Sequence, residues 1–274
     1  MNIIPIYELS WQIIFLLFIS FSFIGWVSEV TYVGFFSAHK FINRGFLHGP
    51  ICPIYGVGGI LILLLPQIIL KSWILLFFSS MILCTIVEYF ASWILEKIFH
   101  MKWWDYSRYR FNIHGRVCLL NSLLFGVLSV LIVYFVEPFI LKFWQDFSLY
   151  WQGFFASALL IILILDLIVT VKELVDFTVT MKKIKTFSEN LRAKFEKEEW
   201  FLGETLQEKL NSVKEYAKLK KDQIHQTLLD RIEVIQNEKR PVVERFLNKF
   251  PSAKSRKFKD ELNLLKQRFI NKKE

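Results

Sequence analysis

The chain has 274 residues, 54% of them apolar and 17% aromatic, with a mean hydropathy of +0.37 and a net charge of +9. That composition is too apolar for a soluble domain of this length, so the sequence reads as a membrane protein with no nucleic-acid partner. The charge is uneven, because the residues from Lys172 onward hold 25 Lys+Arg against 17 Asp+Glu, while the first 171 hold 9 against 8; the basic balance belongs to the tail.

In chain order, five stretches are apolar over about the 20 residues that a membrane helix needs: residues 11–36, 54–70, 73–99, 117–136 and 151–171. No Lys or Arg precedes the first and no small-residue cleavage pattern follows it, so it is expected to be a retained span rather than a leader. The connections fix an orientation, since cytoplasmic loops carry the excess of Lys and Arg. Nothing basic precedes Trp11, and the second and fourth connections hold only Lys71 and Lys142. The first long loop holds Lys40 and Arg44, and the second holds Lys97, Lys102, Arg108, Arg110 and Arg116. The expectation is a multi-pass protein of the plasma membrane, N-terminus outside and C-terminus in the cytoplasm. Cys52, Cys84 and Cys118 lie in or beside apolar stretches, which reads as buried thiols rather than a disulfide framework.

The two long loops look like copies. RGFLHGPIC and RFNIHGRVC align Arg44 with Arg110, His48 with His114, Gly49 with Gly115 and Cys52 with Cys118, each pair 66 residues apart. Each copy follows an apolar stretch that carries one glutamate, Glu29 or Glu88, and leads into another apolar stretch. The pattern predicts a tandem duplicated helix-loop-helix pair, residues 11–70 and 73–136, with both copies running the same way and a fifth helix, 151–171, left over.

From Lys172 to about Arg240 there is no proline, and Leu206, Leu210, Val213, Ala217, Ile224, Leu228, Ile232 and Ile235 recur at a three/four spacing. Residues 172–274 are therefore expected to form a cytoplasmic amphipathic or coiled-coil helical tail, with a final basic helix over 252–272 and no second globular core. The tail is expected to be separable from residues 1–171. The fold class is thus an all-α membrane protein of five transmembrane helices plus a long helical tail.

Carboxylates inside membrane helices are expensive and mark candidate sites. Ser80, Cys84, Glu88, Ser92 and Glu96 recur every four residues, and Ser22, Gly25, Glu29 and Tyr32 share one helix face, so both stripes should face protein. One reading makes Glu29 and Glu88 structural, paired with Arg44 and Arg116; the other makes them part of a substrate site. Asp105, Arg110, His48 and His114 complete the candidate set in the loops, where arginines can fork onto phosphate or carboxylate. Trp103 and Trp104 are expected to anchor the second loop at headgroup level. His48 with Cys52 and His114 with Cys118 could be drawn together as a Cys2His2 metal site, but Pro50 and Pro53 disturb the first pair and no metal or other cofactor is expected. There is no GxxxxGK[ST], HExxH or GxSxG motif, so no ATPase, zinc protease or hydrolase elbow is indicated.

GPICPIYG at Gly49 to Gly56, EY at Glu88 and Tyr89, LEK at Leu95 to Lys97, WWDYS at Trp103 to Ser107 and FNIHGRVCL at Phe111 to Leu119 resemble the bacterial "Putative ABC-transporter type IV" (CmpB-like) membrane proteins, over about residues 15–140. The resemblance implies a permease, which without a nucleotide-binding domain would need a separate ATPase. The expected function is a permease-like, non-enzymatic membrane protein with a cytoplasm-facing polar site between the duplicated helix pairs. Two alternatives stand beside it. One is a membrane scaffold whose basic tail recruits a cytosolic protein, anionic lipid or, by self-association, a second copy of the chain. The other is an intramembrane enzyme using Glu29 or Glu88 as a base on a lipid headgroup.

Overall fold

The computed structural model describes residues 5–33, 43, 45–200 and 242–271. Arg44 and the periodic stretch from Leu206 to Ile235 lie outside the described residues. The described residues are mostly helical: α1 (Trp11–Val33), α2 (Pro53–Leu63), α3 (Gln67–Leu70), α4 (Trp73–Phe99), α5 (Leu119–Leu131), α6 (Glu137–Gln145), α7 (Leu149–Trp200), α8 (242–249) and α9 (Lys259–Asn271). It divides into two compact units, the first comprising Met1–Lys172 with Asn248–Ala253 and the second Glu173–Leu247 with Lys254–Glu274.

Among the described residues, four helices are long and apolar enough to cross a membrane, Trp11–Thr31, Trp73–Phe99, Leu119–Gln145 and Leu149–Asn190, the last running from the first unit into the second. Five were expected. The second stretch folds as an 11-residue helix that stops at a turn before Pro66; at about 1.5 Å per residue it is roughly 16 Å long, half the bilayer core. Proline explains the break, since it has no N–H to continue the helix. The fourth stretch is longer than expected, because the helix does not end at Val136 but widens into a π turn at Ile132–Val136 and continues as α6. Pro138 sits in the first turn of α6, where its ring would meet the Tyr134 carbonyl of a regular helix, and the wider turn accommodates it.

Ile13 and Leu17 of α1, Ile62 and Leu63 of α2, Leu76 of α4, Val133 of the π turn and Leu141 of α6 form one buried cluster. It gathers the starts of α1 and α4 with the ends of α2 and the α5–α6 rod, so α1 and α4 run in the same sense and α2 runs against both. The Tyr134 hydroxyl donates to the Leu70 carbonyl at 3.0 Å, and Trp144 Nε1 to Ser20 Oγ at 3.1 Å, tying this end further. Along its length α2 lies close on α1. A Cβ added at Gly25 would stand 2.3 Å from Tyr55 Cγ, and one at Gly56 2.2 Å from Ser22 Oγ. Only a residue without a side chain fits at either contact.

At the opposite end lie the two loops, residues 45–52 and 100–118. Trp103 is only 2% exposed, packed edge-on against Phe250 at 4.6 Å and against Phe99 and Phe46. The headgroup-anchor role expected of it is therefore corrected: it is the centre of an aromatic cluster inside the protein.

The second unit has its own apolar core, contrary to the expectation for the tail. Phe177 of α7 stacks on Phe246 of α8 at 4.4 Å, Arg245 pairs with Glu173, and Lys185 Nζ donates to the Lys257 carbonyl at 2.9 Å. Met181, Ile184, Phe258, Leu262 and Leu265 are buried with them. Here the stretch of α7 around Phe177 spends its apolar stripe on α8.

Candidate functional site

The site is built from the loop-end halves of the two helix pairs. On the first pair, the Tyr55 hydroxyl donates to Glu29 Oε1 at 2.7 Å, a bond allowed by the glycine contacts that bring α2 onto α1. The Cys52 N–H donates to the Ser22 carbonyl at 3.0 Å, setting the start of α2 against the same stretch of α1. On the second pair, Glu88 is 6% exposed and its carboxyl faces the Asn121 amide of α5 and the Tyr106 hydroxyl of the second loop. Tyr55 follows Cys52 by three residues and Asn121 follows Cys118 by three, so corresponding positions face the two glutamates.

Tyr106, in the second loop, feels the charge of both carboxylates. Burial, and then the Glu88 and Glu29 charges, push the Tyr106 hydroxyl well above the usual phenol range. Burial and the Glu29 charge push the Cys52 thiol up to about 12. A thiol so held stays protonated and is a poor nucleophile or metal ligand.

The stripe along α4 faces protein as its spacing predicts. Ser80 and Ser92 are buried with Glu88; Cys84 faces Ser129 of α5; the Thr85 hydroxyl donates to Ser122 Oγ at 2.7 Å. Ser80 Oγ and Glu88 Oε2 have no hydrogen-bond partner among the described residues.

Arg116 does not pair with Glu88. Its guanidinium donates to Glu96 Oε2 at 2.5 Å and to Ser92 Oγ at 3.2 Å, and lies over the Tyr89 ring. The reason is axial position. Glu96 is two helical turns nearer the loop than Glu88, which is where a loop residue enters the helix pair. Glu29, whose proposed partners were also arginines, instead takes the Tyr55 hydroxyl.

The remaining candidates scatter. His48 offers its backbone N–H to Asp166 Oδ1 at 2.9 Å, and its Nδ1 lies 3.0 Å from Thr170 Oγ1, while the Gly49 N–H reaches Asp166 Oδ2 at 2.7 Å. His114 Nδ1 lies 3.1 Å from the Tyr89 hydroxyl. Cys52 and Cys118 stand at the starts of α2 and α5. Among the described residues no group of three or more His, Cys, Asp or Glu is placed to hold a metal ion, and the four residues of the Cys2His2 pattern are not gathered. Asp105 accepts from the Ser107 N–H and hydroxyl, shaping its own loop, and Arg110 is exposed.

Three residues that the sequence reading passed over carry structure here. Asp166 interrupts the apolar run of α7, and the rule that singled out Glu29 applies to it equally. Glu137, one residue past the expected fourth span, is buried in the α5–α6 rod. Lys249 is 6% exposed and donates to the Gly45 and Leu47 carbonyls at 2.8 and 2.7 Å. Nothing in the sequence sets it apart from the other tail cations.

A family model described as "Putative ABC-transporter type IV" matches residues 16–171, which takes in α1 through the apolar part of α7 and every member of the Glu29–Glu88 cluster. The chain belongs to this family. No curated protein and no solved structure matches it. The family match and the apolar helices together make this a multi-pass, permease-like membrane protein.

Proposed function

We propose that the chain is the non-enzymatic, membrane-embedded part of a permease, with a polar site between the α1–α2 and α4–α5 pairs that opens toward the cytoplasm. What supports this reading is a carboxylate on the loop-end half of each helix pair, Glu29 facing Tyr55 and the buried Glu88 facing Asn121 and Tyr106, with neither paired to an arginine among the described residues. A scaffold would pair these charges, since an uncompensated buried carboxylate costs several kcal/mol. The two pairs are proposed to be a duplication: α1 and α4 run the same way, and Tyr55 and Asn121, three residues past the aligned cysteines, face the glutamates in turn. In this reading α2 with α3 makes a fifth, shortened crossing, the N-terminus lies outside, and the Arg-rich loop end faces the cytoplasm. Energy would come from a separate ATPase, and the second unit would be the surface offered to it. The non-enzymatic reading is favoured by the buried Cys52 thiol, which burial keeps protonated, and by the lack of a nucleophile with an adjacent base beside either glutamate among the described residues.

The test uses a single cysteine at Asn121, in a background with the three native cysteines replaced by alanine. An impermeant thiol reagent should reach it in inside-out vesicles and not in intact cells. Single cysteines at Lys71 and Lys142 should show the reverse, and one at Lys102 should follow Asn121. No reaction at Asn121 from either side means a closed interface, which returns the scaffold reading; reaction only from outside overturns the orientation.

A further inference from the structure

We infer that the turn of the second loop, residues 108–114, is a binding site for an anionic phospholipid, with Phe111 and Ile113 at the acyl boundary and Arg108 and Arg110 on the headgroup phosphate. The inference goes beyond the permease reading and does not depend on which side of the membrane this end faces.

Depth is the first observation. The lipid side of α4 is a row of exposed apolar residues four apart, Phe78, Ile82, Ile86, Phe90 and Ile94. Near its end the exposed Trp93 ring carries Lys97, whose Nζ lies 5.5 Å from the ring centroid; an aromatic ring with a snorkelling amine marks headgroup level. The second loop does not stay beyond that level. His114 Nδ1 lies 3.1 Å from the Tyr89 hydroxyl, and Tyr89 is ten residues, or about 15 Å, before the end of α4 at Phe99. The turn therefore folds back along α4 to headgroup depth.

The second observation is what the turn presents there. Phe111 is 77% exposed and Ile113 54%. Ile113 pairs with Val117, two residues before the exposed Leu119 and Leu120 that open α5, so the apolar surface of the turn continues that of the membrane helices. Phe111 is held at φ 53°, left-handed backbone that a bulky residue rarely adopts and that collects at functional sites. The backbone of the turn is meanwhile covered from within. Asn112 Nδ2 donates to the Tyr109 carbonyl at 2.8 Å, Asn112 Oδ1 accepts from the Gly115 N–H at 3.0 Å, and Lys102 Nζ donates to the His114 carbonyl at 2.8 Å. A segment at water-poor depth must satisfy its backbone in this way, whereas a loop in water need not.

Charge then selects the lipid. Arg108 and Arg110, either side of Tyr109, are exposed, and neither is in an ion pair among the described residues. A guanidinium at this depth meets a phosphodiester, onto which it can fork. An anionic headgroup leaves that phosphate charge unshared with an amine of its own, and each basic residue near the surface adds to its attraction.

The experiment places a bimane fluorophore on a single cysteine at Ile113 of the full-length protein, with the three native cysteines replaced by alanine. The labelled chain is reconstituted in phosphatidylcholine nanodiscs that contain a small fraction of lipid with brominated acyl chains. Brominated phosphatidylglycerol should quench more than the same fraction of brominated phosphatidylcholine. Arg108→Gln or Arg110→Gln should lower that preference about fivefold, and losing both should bring it near one. Phe111→Ser should reduce quenching by both lipids. A label at Ile94, on the lipid side of α4, should be quenched equally by the two lipids and stay unmoved by the arginine variants. No quenching at Ile113 places the turn against water, a protein partner or a second copy, and overturns the inference. Equal quenching by the two lipids, or a preference that survives loss of both arginines, overturns it as well. Should the cysteine-free background fail to fold, native mass spectrometry on the chain with its own cysteines replaces it, after delipidation and return to an equimolar mixture of the two lipids. The chain should retain phosphatidylglycerol and the Arg108→Gln, Arg110→Gln double variant should lose it; equal retention overturns the inference.

Discussion

Residues 45–52 and residues 100–118 close the same end of the membrane unit, and each contains a His-Gly pair followed by a cysteine that starts a helix, yet they are held by opposite means. The shorter loop has Asn43 beside it, which accepts from the Gly45 N–H and donates to the His48 carbonyl, but it also draws on distant elements. Asp166 of α7 accepts the His48 and Gly49 N–H groups, and Lys249, some two hundred residues away in sequence, caps the Gly45 and Leu47 carbonyls. The longer loop supplies itself. Asp105 holds Ser107, Asn112 holds Tyr109 and Gly115, Trp104 donates to the Arg116 carbonyl, and Tyr106 N–H to the Gly115 carbonyl. The difference follows from length. Every buried backbone group needs a partner, and a short loop has too few side chains of its own to provide them. Aligned residues therefore need not do aligned work.

The largest expected effect breaks the borrowed support. Asp166→Ala leaves two backbone donors of the first loop without their charged acceptor and should lower stability by roughly 3 kcal/mol, read as a fall in the unfolding midpoint in detergent together with new proteolysis within residues 43–52. Asp105→Ala in the self-supported loop should cost roughly 1 kcal/mol, because the neighbouring bonds remain. Equal losses would erase the distinction between the loops.

Next comes the ion pair that ties the second loop to its own helix. Arg116 and Glu96 are both mostly buried, with side-chain exposures of 11% and 20%, so a double-mutant cycle with Arg116→Met and Glu96→Gln should return a coupling of about 1 to 3 kcal/mol. The same cycle run with Glu88→Gln should return less than about 0.5 kcal/mol, the level of residues that share no contact. A strong Glu88–Arg116 coupling would restore the pairing expected from the sequence and weaken the case for a site at Glu88.

These comparisons also show what the sequence could and could not disclose. The ends of α1 and α4 at Trp11, Trp73 and Phe99 and the interior-facing stripe through Glu88 are local properties, set by hydropathy and a four-residue spacing, and they read correctly. Glu29 and Glu88 were likewise visible, because a lone carboxylate in an apolar run stands out. Asp166 is legible by the same logic, as a lone carboxylate in the apolar run of residues 151–171. The partner of Arg116 was not legible, since it depends on how far into the helix pair a loop residue reaches. Nor was the first loop's dependence on Lys249, a contact between residues too far apart for any spacing rule. The core of the second unit was hidden because a three/four pattern is the same for a coiled coil and for helices that fold back on one another.

Lys249 offers the third test. Lys249→Met keeps the buried stem but removes the donor to two loop carbonyls, a loss expected at about 2 kcal/mol, with the same new cleavage within residues 43–52 as Asp166→Ala. Lys102→Met, whose half-buried amine serves one carbonyl in the second loop, should cost less than about 1 kcal/mol. Truncation before residue 242 should reproduce the Lys249 effect; a truncated chain as stable as the full one would return the tail to the separable module first expected.

The smallest effect addresses the shared dipeptide itself. His114 and Gly115 have φ of 53° and 66°, and the Arg116 N–H bonds the Ile113 carbonyl at 3.0 Å, the pattern of a type I′ turn, which joins the short strands Asn112–Ile113 and Val117–Cys118. Gly115→Ala puts a Cβ into left-handed backbone and within 2.4 Å of Ser107 Oγ and 2.6 Å of Asp105 Oδ1, so about 1 to 2 kcal/mol should be lost. Gly49 is not left-handed, and a Cβ there would meet only Asp166 Oδ2, at 3.0 Å. Gly49→Ala should therefore cost about 0.5 kcal/mol or less if the carboxylate shifts slightly, and it should cost nothing further once Asp166 is already alanine. That dependence decides what the first glycine is for. If Gly49→Ala hurts as much as Gly115→Ala, and does so in the Asp166→Ala background too, the first His-Gly pair is a turn in its own right and the two loops are more alike than their hydrogen bonds indicate.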